Sequence, residues 1–204
     1  MIGSRSKIAN KRLLAAILLA VISSANLYSQ GGAIAQPPVD PKTTTRLTLG
    51  SASGLPGSSV VVPIYFTPAE QEAVGQASLT ISFVSKNLKF SKVDLGAAAE
   101  LGNVEIKTET KDGKNDQGLE TTALTVRASV PGEAGKAIPS GLLGYLSFNI
   151  LETAVPANIS LRAEASAQLA GSSKAAGDVR AFGAQVEVLA EGEGGMVACF
   201  FFTH

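Results

Sequence analysis

The side chains that most often carry out covalent catalysis are nearly absent from this sequence. Its 204 residues include one histidine, His204, and one cysteine, Cys199, and both stand at the C-terminal end. A serine or cysteine nucleophile needs a neighbouring base, usually histidine, and a zinc site takes several His or Cys ligands. The sequence therefore predicts neither nucleophilic catalysis nor a His-rich metal site.

Carboxylates are the remaining groups that could do acid–base chemistry, because an Asp/Glu pair is enough for glycoside hydrolysis. Glu105, Glu109, Glu164 and Glu187 each alternate with other residue types in strand-like segments, and no aromatic residue beside them offers a platform for a sugar. Isolated carboxylates of this kind usually lie on solvated surfaces. We therefore expect a protein that is not an enzyme.

One loop carries oxygen ligands that suit calcium. Asp112, Asn115 and Asp116 stand close together in a Gly-containing stretch, and turns of this composition can hold the ion. The spacing differs from the EF-hand template, and Lys111 and Lys114 would repel a cation. We expect no cofactor, with calcium at these three residues as the alternative to ordinary turn chemistry.

Tyr65 and Tyr145 are the candidate binding residues. Exposed aromatic side chains are the usual platform for a sugar and can also contact a protein partner. Trp is absent from the chain, which leaves these tyrosines as the candidates. By alternation along their segments, both tyrosines point away from the apolar side. If they lie on one sheet they form a binding patch; the alternative is that each packs on a neighbouring loop.

The element expected to organise the chain is the segment 75–93. Leu79, Ile81 and Phe83 alternate with small polar residues, which is typical of a strand with one face on a core and the other in water. The polar stretch 85–87 predicts a tight corner, after which Leu88 and Phe90 resume the alternation.

The same period of two recurs along the chain, separated by Gly, Pro, Asn and Ser turns. It predicts about nine short strands and no helix longer than one turn, at residues 96–102, which is the pattern of a β-sandwich. Pro63 lacks an N–H, so its strand is predicted to lie at an edge or to turn that nitrogen outward. The predicted strands are 46–49, 59–66, 75–83, 88–93, 104–109, 121–130, 141–150, 159–165 and 182–188.

The N-terminal 35 residues match a signal peptide. Four basic residues precede the uncharged apolar run 13–22, and small residues at 33 and 35 suit a signal peptidase. A run this short does not span the roughly 30 Å of bilayer hydrocarbon. We expect a secreted bacterial protein, extracellular or at the cell surface, with the periplasm as an alternative; membrane attachment would need an uncleaved signal or the C-terminal tail.

Composition and the remaining boundaries complete the domain plan. Lys plus Arg and Asp plus Glu both number 17, so the chain lacks the basic excess that nucleic-acid binding requires. A Pro- and Thr-rich linker at 36–45 is expected to lead into one domain at 46–190. Residues 191–204 form a Gly/Glu spacer and a short apolar tail containing Cys199 and Phe200–Phe202, predicted to cover a sheet edge, to act as a sorting signal or to be a non-native end.

Four segments in this order resemble the cohesin domains. They are 54–66 (GLPGSSVVVPIYF), 75–83 (GQASLTISF) leading to 88–90 (LKF), 138–150 (IPSGLLGYLSFNI) and 184–188 (AQVEV). The resemblance covers residues 45–190. It departs from the family at the corner after the central strand, where a Tyr-Asp-Pro-like turn is usual and this chain has Phe83, Val84 and Ser85.

The resemblance implies a jelly-roll β-sandwich that binds and does not catalyse. Cohesin domains recognise dockerin modules, and they are related to carbohydrate-binding modules. The expected partner is therefore a dockerin-like module or a surface protein, in an adhesion role, and the alternative is a polysaccharide. A structural subunit whose open sheet edge pairs with neighbours is the third possibility.

Overall fold

Two β-sheets packed face to face make up the computed structural model, which describes residues 40, 42–131, 135–190 and 192. The predicted signal peptide, half of the predicted linker and nearly all of the tail lie outside the described residues. The strands are β1 (Thr44–Leu49), β2 (Ala52–Gly54), β3 (Ser59–Thr67), β4 (Val74–Val84), β5 (Leu88–Leu95), β6 (Glu105–Lys114), β7 (Glu120–Ser129), β8 (Gly141–Ile150), β9 (Ala157–Leu169), β10 (Asp178–Phe182) and β11 (Ala184–Val188). One short helix, α1 (Ala97–Leu101), confirms the predicted helical turn.

The strands form a five-stranded sheet in the order β10-β1-β3-β8-β5 and a six-stranded sheet in the order β2-β11-β9-β4-β7-β6. Consecutive strands β4 and β5 belong to different sheets, joined by the predicted corner at 85–87. All neighbouring strands are antiparallel except the pairs β1–β10 and β2–β11. The prediction of an all-β sandwich is confirmed.

The core lies between the inward-facing rows of the two sheets. Leu79, Ile81 and Phe83 of β4 are almost fully buried, as their alternation predicted. The Phe148 ring of β8 is 0% exposed and meets the Phe83 ring edge-on, with centroids 5.5 Å apart. Phe90 contacts Phe148 in a similar geometry at 5.8 Å. This aromatic cluster joins the sheets without a disulfide.

The prediction that Pro63 marks an edge strand is wrong in its first form. β3 lies inside its sheet, between β1 and β8. The Pro63 carbonyl accepts a hydrogen bond from the Gly50 N–H at 2.9 Å. The ring nitrogen of Pro63 therefore also faces the β1 side of β3, opposite Gly50, which is the first residue after β1. The missing donor therefore interrupts only the end of a ladder.

The last predicted strand, 182–188, is also corrected, because the chain divides there into β10 and β11 in different sheets. Gly183 lies at the division, where an added Cβ would collide with the Leu161 carbonyl oxygen. Only a residue without a side chain allows this close crossing. Other boundaries also move: β1 begins at Thr44, inside the predicted linker, β6 extends into the predicted loop as far as Lys114, and β9 is longer than predicted at both ends. The short strand β2 was not predicted.

Truncation of the aromatic cluster tests this account of the core. Phe148→Ala removes a fully buried ring, and we expect a loss of about 3–5 kcal/mol, which lowers the melting temperature by roughly 10 °C or more. Ser147→Ala, the outward neighbour on the same strand, is the matched control and should change little. Equal effects of the two substitutions in thermal unfolding would contradict the assigned orientation of β8.

Candidate functional site

The two tyrosines lie on neighbouring strands of the five-stranded sheet. Tyr65 in β3 is 45% exposed and Tyr145 in β8 is 37% exposed, both on the outer face. Tyr145 faces Pro63 in the β3–β8 register, and Tyr65 is two residues further along β3. Both tyrosines face outward, as their strand parity predicted, and they lie on the same sheet, which was the condition for a binding patch. Their role in binding stays a prediction.

Val61, 50% exposed, continues the same outer row of β3. Val61, Pro63, Tyr65 and Tyr145 together form what we call the tyrosine patch. Isolated exposed apolar residues are common on protein surfaces. Here the four residues lie together on the central strands of the sheet, with Ser147 opposite Val61 and Asp94 opposite Tyr145.

The predicted solvation of the carboxylates is confirmed, since Glu105, Glu109, Glu164 and Glu187 are all exposed. Glu105 lies 3.5 Å from Lys107 and Glu109 lies 3.7 Å from Arg127 in surface ion pairs. Within the described ranges, no group of three or more His, Cys, Asp or Glu side chains could hold a metal.

The three candidate calcium ligands are divided between a strand and a turn. Asp112 lies in β6, where its Oδ1 accepts a hydrogen bond from the Thr122 hydroxyl at 2.7 Å. Asn115 Oδ1 accepts hydrogen bonds from the backbone N–H groups of Gln117 at 3.0 Å and Leu119 at 2.9 Å. Both oxygens are thus engaged in shaping the β6–β7 hairpin. Calcium binding stays a prediction.

The outer face of the six-stranded sheet has a different character. On its three central strands, β9, β4 and β7, most outward side chains are small and many bear hydroxyl groups. We call this surface the hydroxyl face: Ser78, Thr80, Ser82, Ala123, Thr125, Ser160 and Ser166. The Thr80 and Thr125 hydroxyls lie 3.4 Å apart across β4 and β7. Sequence reasoning noted the small residues of β4 but could not assemble this surface, which depends on strand pairing.

Charged side chains lie on both sides of β4, and β4 itself has none among its outward residues. In register with Thr80, the carboxylate of Glu164 on β9 stands on one side, and Glu109 on β6 lies beyond Thr125 on the other. The two adjacent rows carry basic residues at the corresponding places. These are Arg162 and Lys111 in one row and Arg127 and Lys107 in the other.

A groove of about 520 Å³ lies at one end of the hydroxyl face. The β6–β7 hairpin loop contributes Leu119 to it, and the corner after β4 contributes Asn87. Val84 and Arg162 form part of the sheet beneath. The hydroxyl face thus ends in a concave region with apolar, amide and basic groups.

Several cohesins of known structure are similar to this chain in fold. The sixth cohesin of scaffoldin B from Acetivibrio cellulolyticus, solved with the Cel5 dockerin, is 19% identical over 72% of this chain and 100% of its own, with a TM-score of 0.53. The third cohesin of ScaC from the same organism, in complex with the ScaB dockerin, is 20% identical over 72% and 99%, at 0.55. A non-cellulosomal cohesin from Archaeoglobus fulgidus is 16% identical over 74% and 94%, at 0.50.

The chain therefore has a cohesin-like fold, and the resemblance predicted from four sequence segments is confirmed at the level of the fold. No protein-family model and no curated protein matches the sequence. Among the described residues, the structure contains no helix long and apolar enough to cross a membrane.

Added calcium tests the hairpin assignment. Because two of the three candidate ligands are already hydrogen-bonded and lysines flank them, we expect millimolar calcium to leave the melting temperature unchanged. A bound ion would raise it in proportion to the logarithm of concentration over Kd. A rise that disappears in Asp112→Asn would show that the calcium alternative is right.

Proposed function

We propose that this protein is a non-catalytic binding module, which docks a protein partner on the hydroxyl face of its six-stranded sheet. The observation that carries the proposal is the composition of that face: β4 and β7 present mainly small side chains, and charged residues of β9 and β6 lie on either side of them. Among the described residues, the lining of its groove includes no carboxylate and no histidine. A surface of this kind suits contact with a protein better than chemistry on a substrate.

Small side chains favour docking for two physical reasons. Serine, threonine and alanine have few rotamers, so their burial costs little conformational entropy compared with lysine or glutamate. They also allow a partner helix or loop to approach the sheet closely. Hydroxyl groups such as those of Ser78, Thr80 and Thr125 act as donor or acceptor and can adapt to the partner's polar groups.

The flanking charges supply orientation. Glu164 and Glu109 lie in the central row, and basic residues lie in the rows above and below it. Such a pattern attracts a partner with the complementary arrangement and repels one that is turned or shifted. We infer that these charges determine specificity and association rate more than total affinity.

The proposed partner is a dockerin-like module or another surface protein. Two of the cohesins that share this fold are in complex with dockerins, which supports a protein partner for this chain. We also propose that the protein works after secretion, outside the cell or at its surface, as the sequence of the first 35 residues indicates.

A polysaccharide is the alternative ligand, and the tyrosine patch is the observation that favours it. Tyr65 and Tyr145 present exposed rings on one flat surface, and aromatic faces are the usual sugar platforms. The same patch is also the second candidate surface for a protein partner, because tyrosines often dominate binding energy.

A bulky substitution tests the hydroxyl face. Thr80→Trp places a large ring at its centre, and we expect the affinity for the protein partner to fall about thirtyfold or more. Lys89→Trp, at an exposed position of β5 on the opposite sheet and outside the tyrosine patch, is the matched control. Immobilised wild type and variants are compared for proteins captured from the source organism's secreted fraction and for binding to purified dockerin modules. Equal capture by wild type and Thr80→Trp contradicts this docking surface.

A double alanine variant tests the tyrosine patch separately. We expect Tyr65→Ala/Tyr145→Ala to retain capture of the protein partner, and we expect no retardation of the wild type in polysaccharide-containing gels. Retardation of the wild type that is lost in the double variant would support the polysaccharide alternative. Loss of protein capture in the double variant, with capture retained in Thr80→Trp, would move the docking surface to the tyrosine patch.

A further inference from the structure

The six-stranded sheet ends in a long open edge. β6 pairs with β7 on one side and with no described strand on the other. Every residue of Glu105–Lys114 is exposed except Ile106, which is half-buried. An edge of this length offers a row of backbone donors and acceptors to any strand that can align with it.

The hairpin shows which backbone groups are available. The Asn115 N–H donates to the Leu119 carbonyl at 3.0 Å, and the Leu119 N–H donates to the Asn115 side chain at 2.9 Å, so the Asn115 N–H points towards the β7 side of the hairpin. Antiparallel ladders alternate hydrogen-bonded and non-hydrogen-bonded pairs. Counting back from Asn115, the odd-numbered residues of β6 therefore direct their backbone N–H and C=O groups towards β7. Ile106, Thr108 and Thr110 therefore direct their N–H and C=O groups towards the free edge. The Glu120 carbonyl, opposite Lys114, accepts from Ser85 on the β4 side at 3.0 Å, as this alternation requires.

The outward side chains of β6 alternate in charge. Glu105, Lys107, Glu109 and Lys111 share the face that continues the hydroxyl face. The order acid, base, acid, base is complementary to itself when the strand is reversed about its centre.

We propose that β6 pairs with β6 of a second copy of this chain, antiparallel, about a two-fold axis at Thr108. This goes beyond partner docking, since it joins two six-stranded sheets into one. Thr108 then faces Thr108 of the other copy, and Ile106 faces Thr110, in hydrogen-bonded pairs made from the free backbone groups. Glu105 faces Lys111 and Lys107 faces Glu109 in the non-hydrogen-bonded pairs, where side chains lie closest.

The charges select this register over its neighbours. An axis moved to Lys107 places Glu105 opposite Glu109, and an axis moved to Glu109 places Lys107 opposite Lys111. Both put like charges directly across the ladder, which destabilises it. An axis at Ile106 or Thr110 keeps only half of the opposite-charge pairs. The register centred on Thr108 alone makes four.

The present partners of these charges do not prevent the pairing. The Lys107 and Glu105 side chains are 79% and 53% exposed in their ion pair, and Glu109 is 71% exposed beside Arg127. Exposed pairs of this kind contribute little. Because the axis is perpendicular to the joined sheet, both hydroxyl faces point the same way, so the dimer presents two docking surfaces to one partner or array.

Charge reversal and its repair test the proposal on the full chain. In analytical ultracentrifugation from micromolar to millimolar concentration, the wild type is expected to approach twice the mass of one chain. Lys107→Glu and Glu109→Lys should each weaken dimerisation about tenfold, because each makes two like-charge contacts. The variant with both substitutions restores opposite pairs and should dimerise like the wild type. Lys89→Glu, on the other sheet, is the charge control.

A backbone variant separates side-chain from ladder effects. Thr108→Pro removes an N–H that faces the free edge and not β7, so the monomer should keep its circular dichroism spectrum while the dimer is lost. A wild type that is monomeric throughout, or a double charge variant no better than either single one, overturns the proposal. Dockerin or other partner capture by the wild type is measured in parallel. A wild type that dimerises and captures no partner would count against the docking surface only, and a wild type that captures a partner and stays monomeric would count against the dimer only.

Discussion

The interlocking of two inward-facing rows between the sheets is the constraint on which the rest of the structure depends. Leu79 and Ile81 of β4 meet the buried side chains of the five-stranded sheet, among them Phe148. Because side chains alternate, a slip of one residue in any central strand would expose its whole apolar row to water. The core therefore fixes the register of every outward surface.

Because the inward-facing rows stabilise the fold, the residues on the two outer faces can differ. The six-stranded sheet needs no large outward side chains for stability, so Ser78, Thr80 and Ser82 can remain small. The five-stranded sheet instead carries Tyr65 and Tyr145 in the open. This sandwich thus presents two outer surfaces of different chemistry on one core: one is rich in hydroxyl groups and bordered by charge, and the other carries two exposed tyrosines among polar and charged residues.

Features that depend on one strand could be predicted from the sequence, and features that depend on pairing could not. Alternation alone identified the buried row of β4 and the outward direction of Tyr65 and Tyr145. Pro63 was placed at an edge because its missing N–H is a local signal, whereas the rung it disrupts is defined by where β1 ends. The break at Gly183 follows from its approach to Leu161, a contact 22 positions distant in sequence. The hydroxyl face likewise exists only once β9, β4 and β7 are aligned.

The edge strands of the two sheets differ in how readily they could pair with another strand. Of the four edge strands in the described part of the chain, β2 has 3 residues and β10 has 5, too few for a long ladder. β5 carries a bulge between Phe90 and Lys92, which interrupts its regular pairing. β6 alone combines 10 residues with an unbroken register. Charges at an edge usually discourage other strands from pairing, but alternating charges on a regular strand favour a partner strand whose charges have the complementary order over one that places like charges opposite them. For β6, the complementary order is its own charge order read in the reverse direction. The charges that discourage pairing with other strands therefore also favour pairing with β6 of a second copy.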